Sequence, residues 1–92
     1  MSSVLVNVNA FGLWQMLLGT KRRQVKSTGT TLRDLINVLN ELSKGKLVKE
    51  VLVDGGLDHK FMIFVNGNVS NSLSTSLADG DEVLLFSVID GG

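Results

Sequence analysis

At 92 residues the chain is one domain near the small end of the usual range, burying only about 60–65% of its unfolded surface, with no room for a deep enclosed active site. Nine basic and nine acidic residues cancel, which argues against a general binder of nucleic acid or anionic membranes. The absence of cysteine excludes disulfides, thiolate metal sites and cysteine nucleophiles. No apolar run approaches the roughly 20 residues of a membrane helix, and the N-terminus lacks a basic-then-apolar signal pattern, so a cytoplasmic protein is expected.

Val4, Val6 and Val8 share one face against Asn7 and Asn9, which predicts a strand over Val4–Asn9. Ala10–Thr20 is apolar and punctuated by Gly12 and Gly19. It reads as a long connection or one helical turn, with Leu13, Trp14, Leu17 and Leu18 covering the core edge. Lys21–Ser27 is more polar and suits an edge strand, where charge discourages pairing with another molecule.

The clearest helix follows. Thr31 and Asp34 stand as a capping box with Asp in place of Glu. Leu32, Leu35, Ile36, Leu39 and Leu42 then recur at helical spacing, and Lys44-Gly45 marks the stop. The helix is expected over about Leu32–Ser43. Lys46–Leu57 reads either as a short helix or as an extra strand. Phe61–Val65 is apolar on both faces and predicts a well-covered strand, ended by the tight-turn pair Asn66-Gly67. Asn68–Thr75 is polar, with Val69 and Leu73 as anchors. Asp79-Gly80-Asp81 then turns the chain into a last strand over Glu82–Val88.

Few residues offer chemistry of their own. Asp79, Asp81 and Glu82 lie in too short a loop for an EF-hand and are expected to serve the turn. His59 has no evident nucleophile near it in sequence and reads as an exposed structural residue. Lys21-Arg22-Arg23 reads as a solvated hairpin rather than a phosphate site. Phe61, Phe64 and Phe86 are expected in the core, unless one of them faces out as part of a partner-binding patch.

The order strand, strand, helix, strand, strand predicts an α+β fold in which one main helix lies across a mixed sheet. This is the β-grasp (ubiquitin-like) arrangement, with the first and last strands parallel in the centre. The run Leu77-Ala78-Asp79-Gly80-Asp81-Glu82-Val83, the following hydrophobic strand and the terminal Gly91-Gly92 resemble the MoaD/ThiS sulfur-carrier family. The Val65-Asn66-Gly67 hairpin and the helix start at Thr31 resemble it too. The length favours the molybdopterin synthase small-subunit type. Those subunits usually carry prolines before the diglycine, where this chain has Ser87-Val88-Ile89-Asp90.

The resemblance implies a single domain over 1–92, of which 87–92 form a flexible tail reaching about 20 Å when extended. It implies that the Gly92 carboxylate is activated by an ATP-dependent, ubiquitin-activating-type adenylating enzyme. A sulfur donor protein would convert it to a thiocarboxylate, and a molybdopterin synthase large subunit would supply the catalytic residues. Gly91, lacking a Cβ as Gly92 does, would thread a narrow channel, and Phe86, Val88 and Ile89 would dock the tail. The chain would bind no cofactor, would be no enzyme alone and would serve as the sulfur-donating subunit of a complex. Two alternatives use the same features: a ubiquitin-like modifier joined through Gly92 to lysines, and a plain β-grasp binding domain whose diglycine is incidental.

Overall fold

Val4, Val6, Val8 and Ala10 face one way along β1 (Ser3–Ala10) and are at most 7% exposed, while Leu5, Asn7 and Asn9 face the other. The computed structural model, which describes residues 2–88, builds a five-stranded mixed sheet around this strand. On one side β2 (Arg22–Thr28) runs antiparallel to it, from Ser3 opposite Thr28 to Asn9 opposite Arg22. On the other, β7 (Glu82–Ser87) runs parallel, from Asn7 opposite Glu82 to Ala10 opposite Leu85. Beyond β7 lie β5 (Phe61–Val65) and β6 (Asn68–Val69), giving the order β2-β1-β7-β5-β6. The expected parallel centre is therefore present, and the crossover that a parallel pair requires carries the helices.

The main helix, α2 (Leu32–Leu42), crosses one face of this sheet and buries Leu32, Leu35, Ile36 and Leu39. Truncating one such residue to alanine costs about 2–5 kcal/mol. Leu42, expected on the same stripe, is 41% exposed because the stripe turns away from the sheet in the last helical turn. The capping box forms: Asp34 N–H donates to Thr31 Oγ1 at 3.3 Å, and Thr31 N–H donates to Asp34 Oδ2 at 3.1 Å. Two further N–H groups of the first turn, those of Leu32 and Arg33, donate to the carbonyls of Thr75 and Leu73 at 3.0 Å. The loop over 70–77 thus satisfies donors that a helix start otherwise leaves orphaned.

The ambiguous segment Lys46–Leu57 contains both candidates: α3 (Lys46–Val51) and a hairpin of β3 (Leu52–Val53) with β4 (Gly56–Leu57). Leu47 and Val51 lie one helical turn apart and are fully buried, so one sequence pattern carried a helix that stops just where the strand begins. Ala10–Thr20 resolves into the end of β1 and α1 (Leu13–Leu18), with Trp14 fully buried. Asn66 and Gly67 have φ of 51° and 85°, as a two-residue type I′ hairpin requires. Leu73 is a buried anchor as expected. Val69 is not, being 58% exposed, because its register opposite Phe64 puts it on the face away from α2.

Candidate functional site

Side chains alternate across a strand, so what β5 and β7 do not send toward α2 they send to the opposite face. Phe61, Ile63, Val65, Val83 and Leu85 go inward, and Met62, Phe64, Leu84 and Phe86 go outward. The register sets Met62 beside Phe86 and Phe64 beside Leu84. Phe11, just past β1, stacks on Phe86 with ring centroids 4.9 Å apart and planes 13° off parallel. Phe64 meets Phe86 edge-on at 5.7 Å. Phe61 is core as expected. Phe64 and Phe86 are corrected to this outer patch, since their parity along β5 and β7 is that of the helix-averted face. Together with Phe11, Met62 and Leu84 they form a half-buried apolar cluster on the face opposite α2.

Four hydrogen bonds hold the end of β7 against this patch. Phe11 N–H donates to the Leu85 carbonyl at 2.9 Å, and Val88 N–H donates to the Lys60 carbonyl at 2.6 Å. Leu13 N–H donates to Ser87 Oγ at 3.0 Å, and the Trp14 indole Nε1–H donates to the Phe86 carbonyl at 2.8 Å. Trp14 also meets Phe61 edge-on at 5.4 Å inside the core. Of the docking residues expected from sequence, Phe86 sits at the centre of the aromatic cluster, and Val88 follows it with half its surface exposed. The last strand was expected over Glu82–Val88 and the tail from Ser87; Ser87 is the last residue of β7, and Val88 is hydrogen-bonded to Lys60, just before β5. Ile89, Gly91 and Gly92 lie outside the described residues.

Trp14 was expected only to cover the core edge and Ser87 only to open the tail, so their hydrogen bonds at the end of β7 were not foreseen, and Phe11, Met62 and Leu84 were not singled out. A signal existed for the last two: strands apolar on both faces must cover something on both. The remaining candidates keep their bland roles. Asp79 Oδ1 accepts from Leu5 N–H and Asp81 Oδ2 from Ala78 N–H, both at 2.8 Å, closing the turn into β7. Glu82 Oε2 accepts from Asn7 Nδ2 at 2.8 Å. His59 is 97% exposed and lies 3.5 Å from the Asp58 carboxylate. Lys21, Arg22 and Arg23 are exposed on the sheet edge, where Arg22 Nε donates to Asn9 Oδ1 at 3.1 Å. Among the described residues no three potential metal ligands converge, and no helix is long and apolar enough to cross a membrane.

The mixed five-stranded sheet with α2 across one face is a β-grasp, ubiquitin-like fold. The model of the ThiS family matches residues 8–92, and the chain belongs to that family. Among solved structures it is similar to SAMP1 from Haloferax volcanii, with 26% identity over 99% of this chain and 100% of that one and a TM-score of 0.80. A putative molybdopterin converting factor subunit 1 from Pyrococcus furiosus shares 29% identity over 94% of this chain and 99% of its own, with a TM-score of 0.74. A chain in the complex of subunits 1 and 2 of molybdopterin-converting factor from Helicobacter pylori shares 25% identity over 97% of this chain and 100% of that one, with a TM-score of 0.61. A search of curated protein sequences returned no significant match.

Proposed function

We propose that the chain carries sulfur on the Gly92 carboxyl as the small subunit of a molybdopterin synthase. The observation that carries this proposal is the family match, which runs through residue 92 and so takes in both glycines. The likeness to molybdopterin converting factor subunits, one of them in a complex of subunits 1 and 2, supports the pathway and the partner.

A C-terminal carboxylate is ionised near neutral pH and is a poor electrophile. On an ATP-dependent adenylating enzyme, one of its oxygens attacks the α-phosphorus of ATP and displaces pyrophosphate, leaving an acyl-adenylate. Hydrosulfide (HS⁻) released by a donor protein then attacks the acyl carbon. AMP departs with the electron pair of the C–O bond, and loss of one proton leaves a thiocarboxylate. This soft anionic nucleophile passes its sulfur to a pterin precursor held by the large subunit, whose side chains do the catalysis. The patch of Phe11, Met62, Phe64, Leu84 and Phe86, with Val88 following it in the chain, is the docking surface; Ile89 is a further docking residue of the tail, and Gly91 threads the channel.

Intact mass after incubation with the adenylating enzyme, ATP and a sulfur donor tests the proposal. A gain equal to one oxygen replaced by sulfur is expected, absent from a chain lacking Gly92. Loss of that gain on adding the large subunit and the pterin precursor would assign the pathway. No gain, with an enzyme active on another carrier, refutes the carrier role. The likeness to SAMP1, a small archaeal modifier protein, favours a second reading, conjugation through Gly92 to lysines. Finding Gly92 in isopeptide linkage to a lysine in cell extracts would establish that reading instead.

A further inference from the structure

The end of an ordinary strand frays, because its last backbone groups have few partners. The end of β7 has partners on both sides. Trp14, fully buried, spends its one polar group on the Phe86 carbonyl at 2.8 Å, and Leu13 N–H reaches Ser87 Oγ at 3.0 Å. From the β5 side the Lys60 carbonyl takes Val88 N–H at 2.6 Å. The chain enters α1 at Gly12 with φ 60° and ψ −131°, and a Cβ built there would run into Ser87 Oγ. Only glycine allows both that conformation and that approach.

Covering the core edge explains why Trp14 and Leu13 are apolar. It does not explain where their donors point. A buried indole needs an acceptor, and many carbonyls would serve; the one used belongs to the strand from which the C-terminal arm departs. A second donor from the same short helix takes the next residue's side chain, so α1 grips two consecutive residues of that strand.

We infer that Trp14 and Ser87 are positioning residues that fix the root of the C-terminal arm at Val88, with Gly12 permitting the close approach. The inference rests on Gly92 being the activated group. The usable arm is then the four residues from Ile89 to Gly92, which span at most about 13–14 Å when extended, rather than the longer reach of a tail starting at Ser87. The channel of any activating partner must bring its reacting phosphorus within that distance of the docked end of the sheet. A released root would spread Gly92 over a larger volume and reduce the fraction of complexes in attacking geometry. Binding itself, carried by the outer patch, would stay.

The test uses the full chain with its adenylating enzyme, following adenylate formation by ATP–pyrophosphate exchange. Trp14→Phe keeps a ring in the core and removes the donor together with part of the indole's volume; Ser87→Ala removes only the hydroxyl and is the milder variant if the first unfolds. Each is expected to lower kcat about 3–10-fold with the KM for the chain unchanged. A merely structural role would lower melting temperature and leave kcat per folded molecule intact. A length compensation separates the two roles further. Deleting Asp90 shortens the arm and should abolish activation, and adding Ser87→Ala and Trp14→Phe should restore part of it by releasing residues at the root. Unchanged kcat in both single variants, or a triple variant no better than the deletion, overturns the positioning role. A wild-type chain that forms no adenylate instead overturns the carrier function itself, so the two failures are distinguishable.

Discussion

Phe61 and Phe86 are both on sheet strands, yet the two faces they occupy predict opposite consequences for the same truncation. Phe61 is 1% exposed and packs edge-on against Trp14 at 5.4 Å, so Phe61→Ala leaves a cavity and costs about 3–5 kcal/mol. A domain of this size has a total stability of about 5–14 kcal/mol, and that loss is a large part of it. Phe86 is half-buried and touches two rings, at 4.9 and 5.7 Å. Each aromatic contact contributes about 0.5–1.5 kcal/mol, and water can fill the space left, so Phe86→Ala costs about 1–2 kcal/mol of stability. Binding should respond in reverse. Phe86 is the centre of the half-buried outer cluster proposed to dock the partner, the position where truncation typically costs 2 kcal/mol or more, or about 30-fold in Kd. Urea melts measure the first quantity, and calorimetric titration with the adenylating enzyme or the large subunit measures the second. If Phe86→Ala destabilised the fold as much as Phe61→Ala and left both affinities unchanged, the assignment of the outer face to docking would be refuted.

Other expectations follow from single contacts. Gly12→Ala forces φ near 60° on a residue with a Cβ and drives that Cβ into Ser87 Oγ; a loss of about 1–3 kcal/mol should appear in thermal melts. Thr31→Ala removes the side-chain cap of α2 and should cost about 1 kcal/mol, up to 2, read from the urea midpoint. The hydrogen bonds from Thr31, side chain first and then backbone, hold the Asp34 carboxyl below its ordinary 3.8. A carboxyl lowered on folding favours the folded chain above its unfolded value and loses that contribution as pH falls through its folded value. Stability should therefore decline below about pH 4, and the part of that decline missing in Asp34→Asn is the contribution of this group. Gly92→Val should leave the melting temperature unchanged and abolish adenylate formation, since the added side chain must pass the partner's channel; normal activation would refute the threading role.

The fold was legible because its strongest signals are local and periodic. The α2 stripe with its Thr31–Asp34 box, the valine alternation of β1 and the Asn66-Gly67 turn each specify an element without outside help, and together they leave few topologies besides the one found. Other features depended on tertiary partners. Lys46–Leu57 looked ambiguous because a helix of 6 residues and a strand of 2 are each too short to show a period. The burial of Leu47 and Val51 marks where the helix runs, and the pairing of Leu52 and Val53 with Leu57 and Gly56 marks the strand. Val69 has the composition of an anchor, but the pairing of β6 opposite Phe64 turns it outward.

The functional face was half legible for a related reason. Apolar residues on both faces of β5 and β7 signal two covered surfaces, yet the sequence alone does not say whether the second cover belongs to this chain. The structure answers for the described residues: α2 lies on one face, and the aromatic cluster around Phe86 is left half-exposed on the other. The clamp at its end was the least legible part, since it joins Trp14 to Phe86 across 72 residues and depends on a hydrogen bond that no spacing rule encodes. Patch and clamp meet in one residue. Phe86 gives its carbonyl to Trp14 and, in the proposed function, its ring to the partner, so the proposed binding surface and the proposed root of the arm share one backbone. Docking through that ring therefore also sets where Gly92 can reach, which is why variants at Phe86 should change affinity and turnover together, whereas Trp14→Phe should change turnover alone.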